Sequence, residues 1–254
     1  MSTTKIWCLK VLNYYAMKTF KDEFNRIINL LENNDSFVFV RYGDGEVALM
    51  NGDDISENTQ AFVVDNWKST GNTKLGLDLK LSLTNKDWYF GIPCKCCNEK
   101  CKNYLLTLLN LPDEKITYAN LWVNSNYELF LNWVKNINDE VILIANQNAE
   151  NNLNDFPFKI KEFVPMPDNC VDYYETNSES LIVSLKNIVK KHTNSLFLIS
   201  AGPLSEVIIH HMYNEKKINK YVDVGSSLDE YIHKKITRPY MTVGTEYNTK
   251  ICTF

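Results

Sequence analysis

The stretch Phe37-Val-Phe-Val-Arg-Tyr-Gly-Asp-Gly-Glu46 decides how this chain is read. Its first four residues are aromatic or β-branched and predict a short buried strand. With no spacer, that strand runs into two carboxylates set around a glycine. Upstream, residues 17–33 (MKTFKDEFNRIINLLEN) place Phe20, Phe24, Ile27, Ile28 and Leu31 at helical spacing, and Asn33, Asn34 and Asp35 end the helix. Downstream, strands are predicted over 88–92, 115–119, 140–145, 161–164, 195–200 and 220–224. Helical patterns fall over 57–69, 75–84, 101–110, 125–136, 177–191 and 203–216. Such alternation indicates βαβ units and a mainly parallel sheet. Val141-Ile-Leu-Ile144 and Leu196-Phe-Leu-Ile199 are apolar without a break, as required when helices cover both faces. The fold class is therefore doubly wound α/β, in which ligands bind at the carboxyl ends of the strands. No repeat or long linker divides the chain, so it reads as one domain over 1–254: an N-terminal helix (17–33), a core (36–233) and a tail (234–254).

A chain of 254 residues with 44% apolar and 23% charged residues can bury a core without metal or disulfide support. The net charge of −4, with both signs interspersed, argues against a nucleic-acid partner. Residues 1–10 (MSTTKIWCLK) lack a signal-peptide core, and no apolar run is long enough to span a membrane. With seven cysteines, an odd number, this fits a reducing, cytoplasmic setting. The chain holds 31 Asn and 24 Lys but only three Arg, a bias that an AT-rich genome explains. Arg26, Arg41 and Arg238 then draw attention, because Lys cannot reproduce a bidentate guanidinium.

Gly43 and Gly45 permit a sharp turn with positive φ, so that the backbone approaches a ligand closely. Asp44 and Glu46 stand two positions apart. In an extended stretch they share a side, where both reach one hard cation, Mg²⁺ or Mn²⁺ rather than zinc. A plain surface turn explains the same residue types. Its place after a strand, with Arg41 just before it, favours a site. Ser200-Ala-Gly-Pro203 follows another strand. Pro203 suits a first helical turn, whose free N–H groups and dipole form an anion site for a ribose or diphosphate, although ordinary capping would look alike. Asp223 and Asp229 flank Gly225 beyond the last strand. Either is a candidate base, and Asp229 equally a cap for a helix over 229–235.

The run Phe39-Val-Arg-Tyr-Gly-Asp-Gly-Glu46 resembles the signature of GT-D-type glycosyltransferases, a Rossmann-like family. Trp88-Tyr-Phe-Gly-Ile-Pro93, Glu162-Phe-Val-Pro-Met-Pro167, Ser200-Ala-Gly-Pro203 and Val222-Asp-Val-Gly225 look like that family's later elements, in the same order, across 36–233. The resemblance implies a Rossmann-like sheet and transfer of a sugar from a UDP-sugar donor to a hydroxyl of a glycan or protein acceptor. It implies metal at Asp44 and Glu46, and nucleotide at Arg41, Gly43, Gly45, Ser200, Gly202 and Pro203. The family places a His after the last Asp-x-Gly. Here Ser226-Ser-Leu-Asp-Glu230 stands instead, so that role passes to Asp229, Glu230, His233 or none of them. A phosphotransferase such as a pyrophosphokinase, or an inactive binding module, are the alternative readings. No Gly-rich Lys/Ser phosphate loop supports the first.

Other features are less directive. Cys94, Cys96, Cys97 and Cys101 supply four thiols, the number for tetrahedral zinc, but C-x-C-C-x₃-C is not a pair of C-x₂-C knuckles. Free thiols beside the sheet are the expected state. The four histidines show no ligand spacing, and of His210 and His211 one is expected to face the core and the other solvent. Asn120, Asn124 and Asn126 could bond a sugar or base on which Trp122 or Tyr127 stacks, though in so Asn-rich a chain accident explains them better. The tail around Thr237-Arg-Pro-Tyr240 is expected to fold back over the cleft near an acceptor. A homodimer is admitted without a sequence feature that requires it.

Overall fold

The computed structural model describes residues 19–56 and 67–254. Seven strands form one sheet: β1 (Phe37–Arg41), β2 (Tyr89–Ile92), β3 (Ile116–Tyr118), β4 (Val141–Asn146), β5 (Ile160–Met166), β6 (Leu196–Ser200) and β7 (Lys220–Asp223). Their order is β3-β2-β1-β7-β6-β4-β5, and every neighbouring pair is parallel. Nine helices connect or flank them among the described residues: α1 (Phe20–Asn33), α2 (Asp44–Asn51), α3 (Lys74–Ser82), α4 (Lys95–Leu109), α5 (Tyr127–Lys135), α6 (Cys170–Lys191), α7 (Ser205–Glu215), α8 (Asp229–His233) and α9 (Glu246–Thr249). The α/β, Rossmann-like class expected from the alternation is the observed one.

The strands lack polar alternation because successive side chains enter two different cores. Val38 and Val40, Ile142 and Ile144, and Phe197 and Ile199 join one core with α3, α6 and α7. Phe37 and Phe39, Val141 and Leu143, and Leu196 and Leu198 join the other, with α1 and α5. Each buried Leu or Phe contributes roughly 1.5–3 kcal/mol, so the two layers give the sheet its rigidity. Trp122 anchors the second core. It is fully buried, edge-on to Phe24 and Phe39, stacked 5.9 Å from Trp133, and donates its indole N–H to the Asp223 carbonyl at 2.9 Å.

Five local outcomes differ from expectation. The helix expected over 57–69 lies outside the described residues as far as residue 66; Trp67 and Lys68 are not helical, and Ser69 bridges Ile55. β5 continues through Pro165, where the sequence reading stopped, because β5 is an edge strand and loses no ladder bond on its open side. α4 starts at Lys95 and breaks at Asn98 (φ −156°), whose side-chain oxygen accepts from the Cys101 N–H at 3.1 Å and restarts the helix. α6 starts at Cys170, seven residues before the expected 177, capped by Asn169. Of the histidine pair, His210 is the buried one, and His211 is half-buried rather than exposed. No helix among the described residues is long and apolar enough to cross a membrane.

Candidate active site

A cleft of about 980 Å³ opens at the carboxyl edge of the sheet. Its walls come from the segments after β1, β3, β4, β5, β6 and β7 and from the tail at 235–240. The tail does fold back over the cleft, as expected. Arg41, Asp44, Gly45, Glu46, Ser200, Gly202, Pro203, Asp223 and Asp229 all line it, so the structure brings almost every sequence-selected residue to one place.

The motif after β1 is not the extended turn that the sequence suggested. Asp44 and Glu46 occupy the first turn of α2, where positions two apart point about 200° from each other. Gly43 has φ −105° and Gly45 is helical, so neither uses positive φ. What glycine supplies at both is room. A Cβ on Gly45 would sit 3.1 Å from the Trp67 indole, and one on Gly43 would meet Glu46 Oε2 at 3.1 Å. Glu46 curls back so that Oε2 accepts from the Gly43 N–H at 2.6 Å, closing the helix start, while Asp44 is exposed. Burial pushes the Glu46 carboxyl up to about 7, against the pull of its backbone donors and of Arg41.

Arg41 is fixed by two contacts. Its Nε donates to Asp223 Oδ2 at 3.0 Å and its Nη1 to the Ala119 carbonyl at 3.1 Å. Among the described residues Nη2 has no protein acceptor, which leaves that edge of the fork for a ligand. The space for the guanidinium exists because residue 225 is glycine. Gly225 has φ +49°, and a Cβ there would overlap Nη2 and Cζ of Arg41. Asp223 is almost fully buried, and its second oxygen accepts from the Gly225 N–H at 2.8 Å. Burial pushes its carboxyl up while Arg41 pulls it down. With both oxygens engaged, Asp223 is built to hold Arg41.

Glu206 escaped the sequence reading. An acid in the first turn of a helix looks like a routine complement to the helix dipole. In the structure it is 1% exposed, on α7 beside Asp223 and Glu46, and lines the cleft. Burial and those two carboxylates hold it well above the usual range, and its Oε2 has no partner among the described residues. The available signal was its position, three residues past the Pro203 turn at a strand's carboxyl end.

After β6, residues 202–204 form a 3₁₀ turn with Gly202 at φ +56°, and α7 follows. Ser200 Oγ donates to the Gly225 carbonyl at 2.7 Å, tying the ends of β6 and β7 together. Asp229 is the first residue of α8 rather than its cap, which is Leu228. Its Oδ2 accepts from Thr237 Oγ1 at 2.7 Å, joining α8 to the tail. His233 and Arg238 line the same cleft, whereas Glu230 does not. Arg26, by contrast, grips Glu23 on α1, away from it. Trp122 and Tyr127 are core residues rather than a stacking platform, and Asn126 is buried with its amide bonded to the Phe20 and Leu121 carbonyls, in line with the reading that chance explains this Asn-rich stretch. Asn120 and Asn124 do reach the cleft wall.

These features define a parallel α/β domain with a polar strand-end cleft, two arginines, a carboxylate-bearing helix start and a second helix end. No protein-family model and no curated protein sequence matches the chain. Solved structures do match in fold. A domain of unknown function 1792, described as having a distinct glycosyltransferase fold, superposes with TM-score 0.54 at 16% identity over 85% of this chain and 80% of that one. Its selenomethionine-substituted form gives TM-score 0.55 at 16% identity over the same shares, 85% and 80%. A Streptococcus sanguinis protein described as a new glycosyltransferase gives 0.52 at 14% identity over 83% and 84%. This chain therefore has the fold of those domains, as the resemblance to GT-D-type sequences implied.

Proposed function

We propose that the protein is a metal-dependent glycosyltransferase that moves a hexose, of glucose type, from a UDP-sugar to a hydroxyl acceptor. The observation that carries this reading is the convergence of Arg41 Nη2, the Asp44/Glu46 turn and the start of α7 on one polar cleft of about 980 Å³. A volume of that size suits a nucleotide-sized ligand. The likeness of fold to proteins described as glycosyltransferases points the same way.

The donor set fits Mg²⁺ or Mn²⁺. Magnesium binds through one or two carboxylates and takes its remaining oxygens from water and substrate phosphate. Asp44 and Glu46 both line the cleft; because α2 directs them about 200° apart, one of them would ligate the ion directly and the other through a bound water. When bound, the ion neutralises charge on the departing diphosphate. Arg41, held by Asp223 and by the Ala119 carbonyl, offers Nη2 to the phosphates in a fixed direction. Gly202, Pro203 and the start of α7 face the nucleotide. Glu206, buried beside Asp223 and Glu46 in the wall of the cleft, resists ionisation there and so limits the negative charge that a phosphate would meet. Asp229, oriented by Thr237 from the tail, takes the acceptor proton in an inverting transfer. His233, in the same cleft, stands where the missing family histidine's role can be taken up.

The test is UDP release from UDP-glucose, UDP-galactose and UDP-N-acetylglucosamine with Mn²⁺. Asp44→Asn and Glu46→Gln should each abolish it while changing stability by no more than about 1 kcal/mol. Unchanged turnover in the double variant defeats the metal assignment. Thermal stabilisation by ATP but not by UDP with Mn²⁺ would favour a phosphotransferase instead. Neither hydrolysis nor nucleotide binding across the panel would leave an inactive binding module.

A further inference from the structure

Four cysteine sulfurs meet outside the cleft, and they are not the four that the sequence grouped. Cys94, Cys96 and Cys97 come from the turn after β2, where the Cys97 and Asn98 N–H groups both bond the Cys94 carbonyl, at 3.1 and 3.0 Å. The fourth is Cys252, from the C-terminal tail. Cys101, on the far side of the Asn98 break, packs against the opposite core. All four sulfurs lie within 4.8 Å of one another, with Cys94–Cys96 at 3.1 Å and Cys96–Cys97 at 3.9 Å. A tetrahedron with Zn–S of about 2.3 Å has sulfurs about 3.8 Å apart, so the cluster is already at the scale of a metal cage. None of the six cysteines among the described residues is in a disulfide.

The surroundings of the cluster suit thiolate ligands. Amide N–H groups can only donate, and two side chains aim them inward: Asn120 Nδ2 lies 3.3 Å from Cys97 Sγ, and Asn124 Nδ2 lies 3.4 Å from Cys252 Sγ. Asn124 does so from a left-handed backbone, φ +56°, which asparagine tolerates better than most residues. The ammonium of Lys250 lies beside Cys97, where it offsets part of a thiolate cage's charge. Donors of this kind orient and stabilise metal-bound thiolates. Cys94 and Cys252 are buried while Cys96 and Cys97 are exposed, which leaves an ion a way in.

We propose that Cys94, Cys96, Cys97 and Cys252 bind one structural zinc ion that staples the C-terminal tail to the turn after β2. Soft, four-fold thiolate ligation selects zinc over the hard ions suited to carboxylates. Its consequence is architectural. The tail supplies Thr237, Arg238 and Tyr240 to the cleft, and beyond them the chain is held by Asn248 bonding the Tyr240 carbonyl at 3.0 Å and by Phe254 edge-on to Tyr118 at 5.1 Å. A metal at Cys252 locks that wall in place. It also gives a physical role to Asn120 and Asn124, which base recognition does not require.

The full chain, purified without chelator under reducing conditions, should carry about one zinc per molecule by elemental analysis. Cys101→Ser should keep it. Cys252→Ser and the exposed Cys96→Ser should each lose most of it. Replacement by Co²⁺ should give intense thiolate-to-cobalt charge-transfer absorption in wild type and in Cys101→Ser, and little in the other two. These readouts are independent of sugar transfer, so failure of one proposal does not carry the other. Substoichiometric metal with no cobalt–thiolate band overturns the zinc site, as does full zinc in Cys252→Ser, iron in its place, or a Cys94–Cys96 disulfide in the reduced preparation.

Discussion

Replacing Gly225 by alanine tests the arrangement on which the cleft depends. Two costs are separable. Holding alanine at φ +49° costs about 1–2 kcal/mol from left-handed strain. The added Cβ would also occupy the position of the Arg41 guanidinium, so Arg41 must release Asp223. That carboxylate is 3% exposed, and leaving a buried charge without its partner costs roughly 3–5 kcal/mol. Gly71→Ala is the control, because Gly71 has φ +61° with nothing near its would-be Cβ and so reports the strain alone. Gly225→Ala should therefore be less stable than Gly71→Ala by at least about 3 kcal/mol in denaturant melts, equivalent to at least about 6 °C in Tm for a chain of this size. Its apparent affinity for UDP with Mn²⁺ should also fall, since Nη2 is displaced. Equal stability of the two variants, within about 1 kcal/mol, would show that Arg41 is not pinned, and the site described above would lose its fixed cation.

Two further outcomes follow from particular side chains. Burial holds the His211 imidazole down at about 4, and its Nε2 has no partner among the described residues. A folded-state pKa below the usual 6.5 means that the neutral form's contribution is complete above pH 6.5 and is lost as pH falls toward 4. His211→Gln should lose less stability than wild type over that window, and parallel pH curves would refute this. Trp122→Phe deletes the indole N–H that bonds the Asp223 carbonyl and leaves a cavity among the rings packed on it, so it should cost at least about 1–3 kcal/mol and leave the UDP–Mn²⁺ thermal shift unchanged. Lost nucleotide binding at preserved stability would return Trp122 to the base-stacking role that the sequence allowed.

Much of this protein was legible in one dimension. Unbroken apolar runs at 141–144 and 196–199 already required a sheet covered on both faces, because a strand with one wet face must alternate. The same logic placed Asp44, Glu46, Gly202 and Asp223 at strand ends, and all of them line one cleft. Direction was another matter. Whether Asp44-Gly-Glu46 is extended or helical depends on what caps it, and the cap is Glu46's own side chain folding back on Gly43. Glu206 offered only its position after the Pro203 turn, since its charge environment forms when β7 and β1 bring Asp223 and Glu46 beside it. Local spacing grouped Cys101 with the other thiols, and only the return of the tail replaces it with Cys252. Patterning along the chain dictates which faces must be buried. Which side chains then share a charge, a proton or an ion is decided by how the folded segments meet, as Arg41 and Asp223 show across a separation of 182.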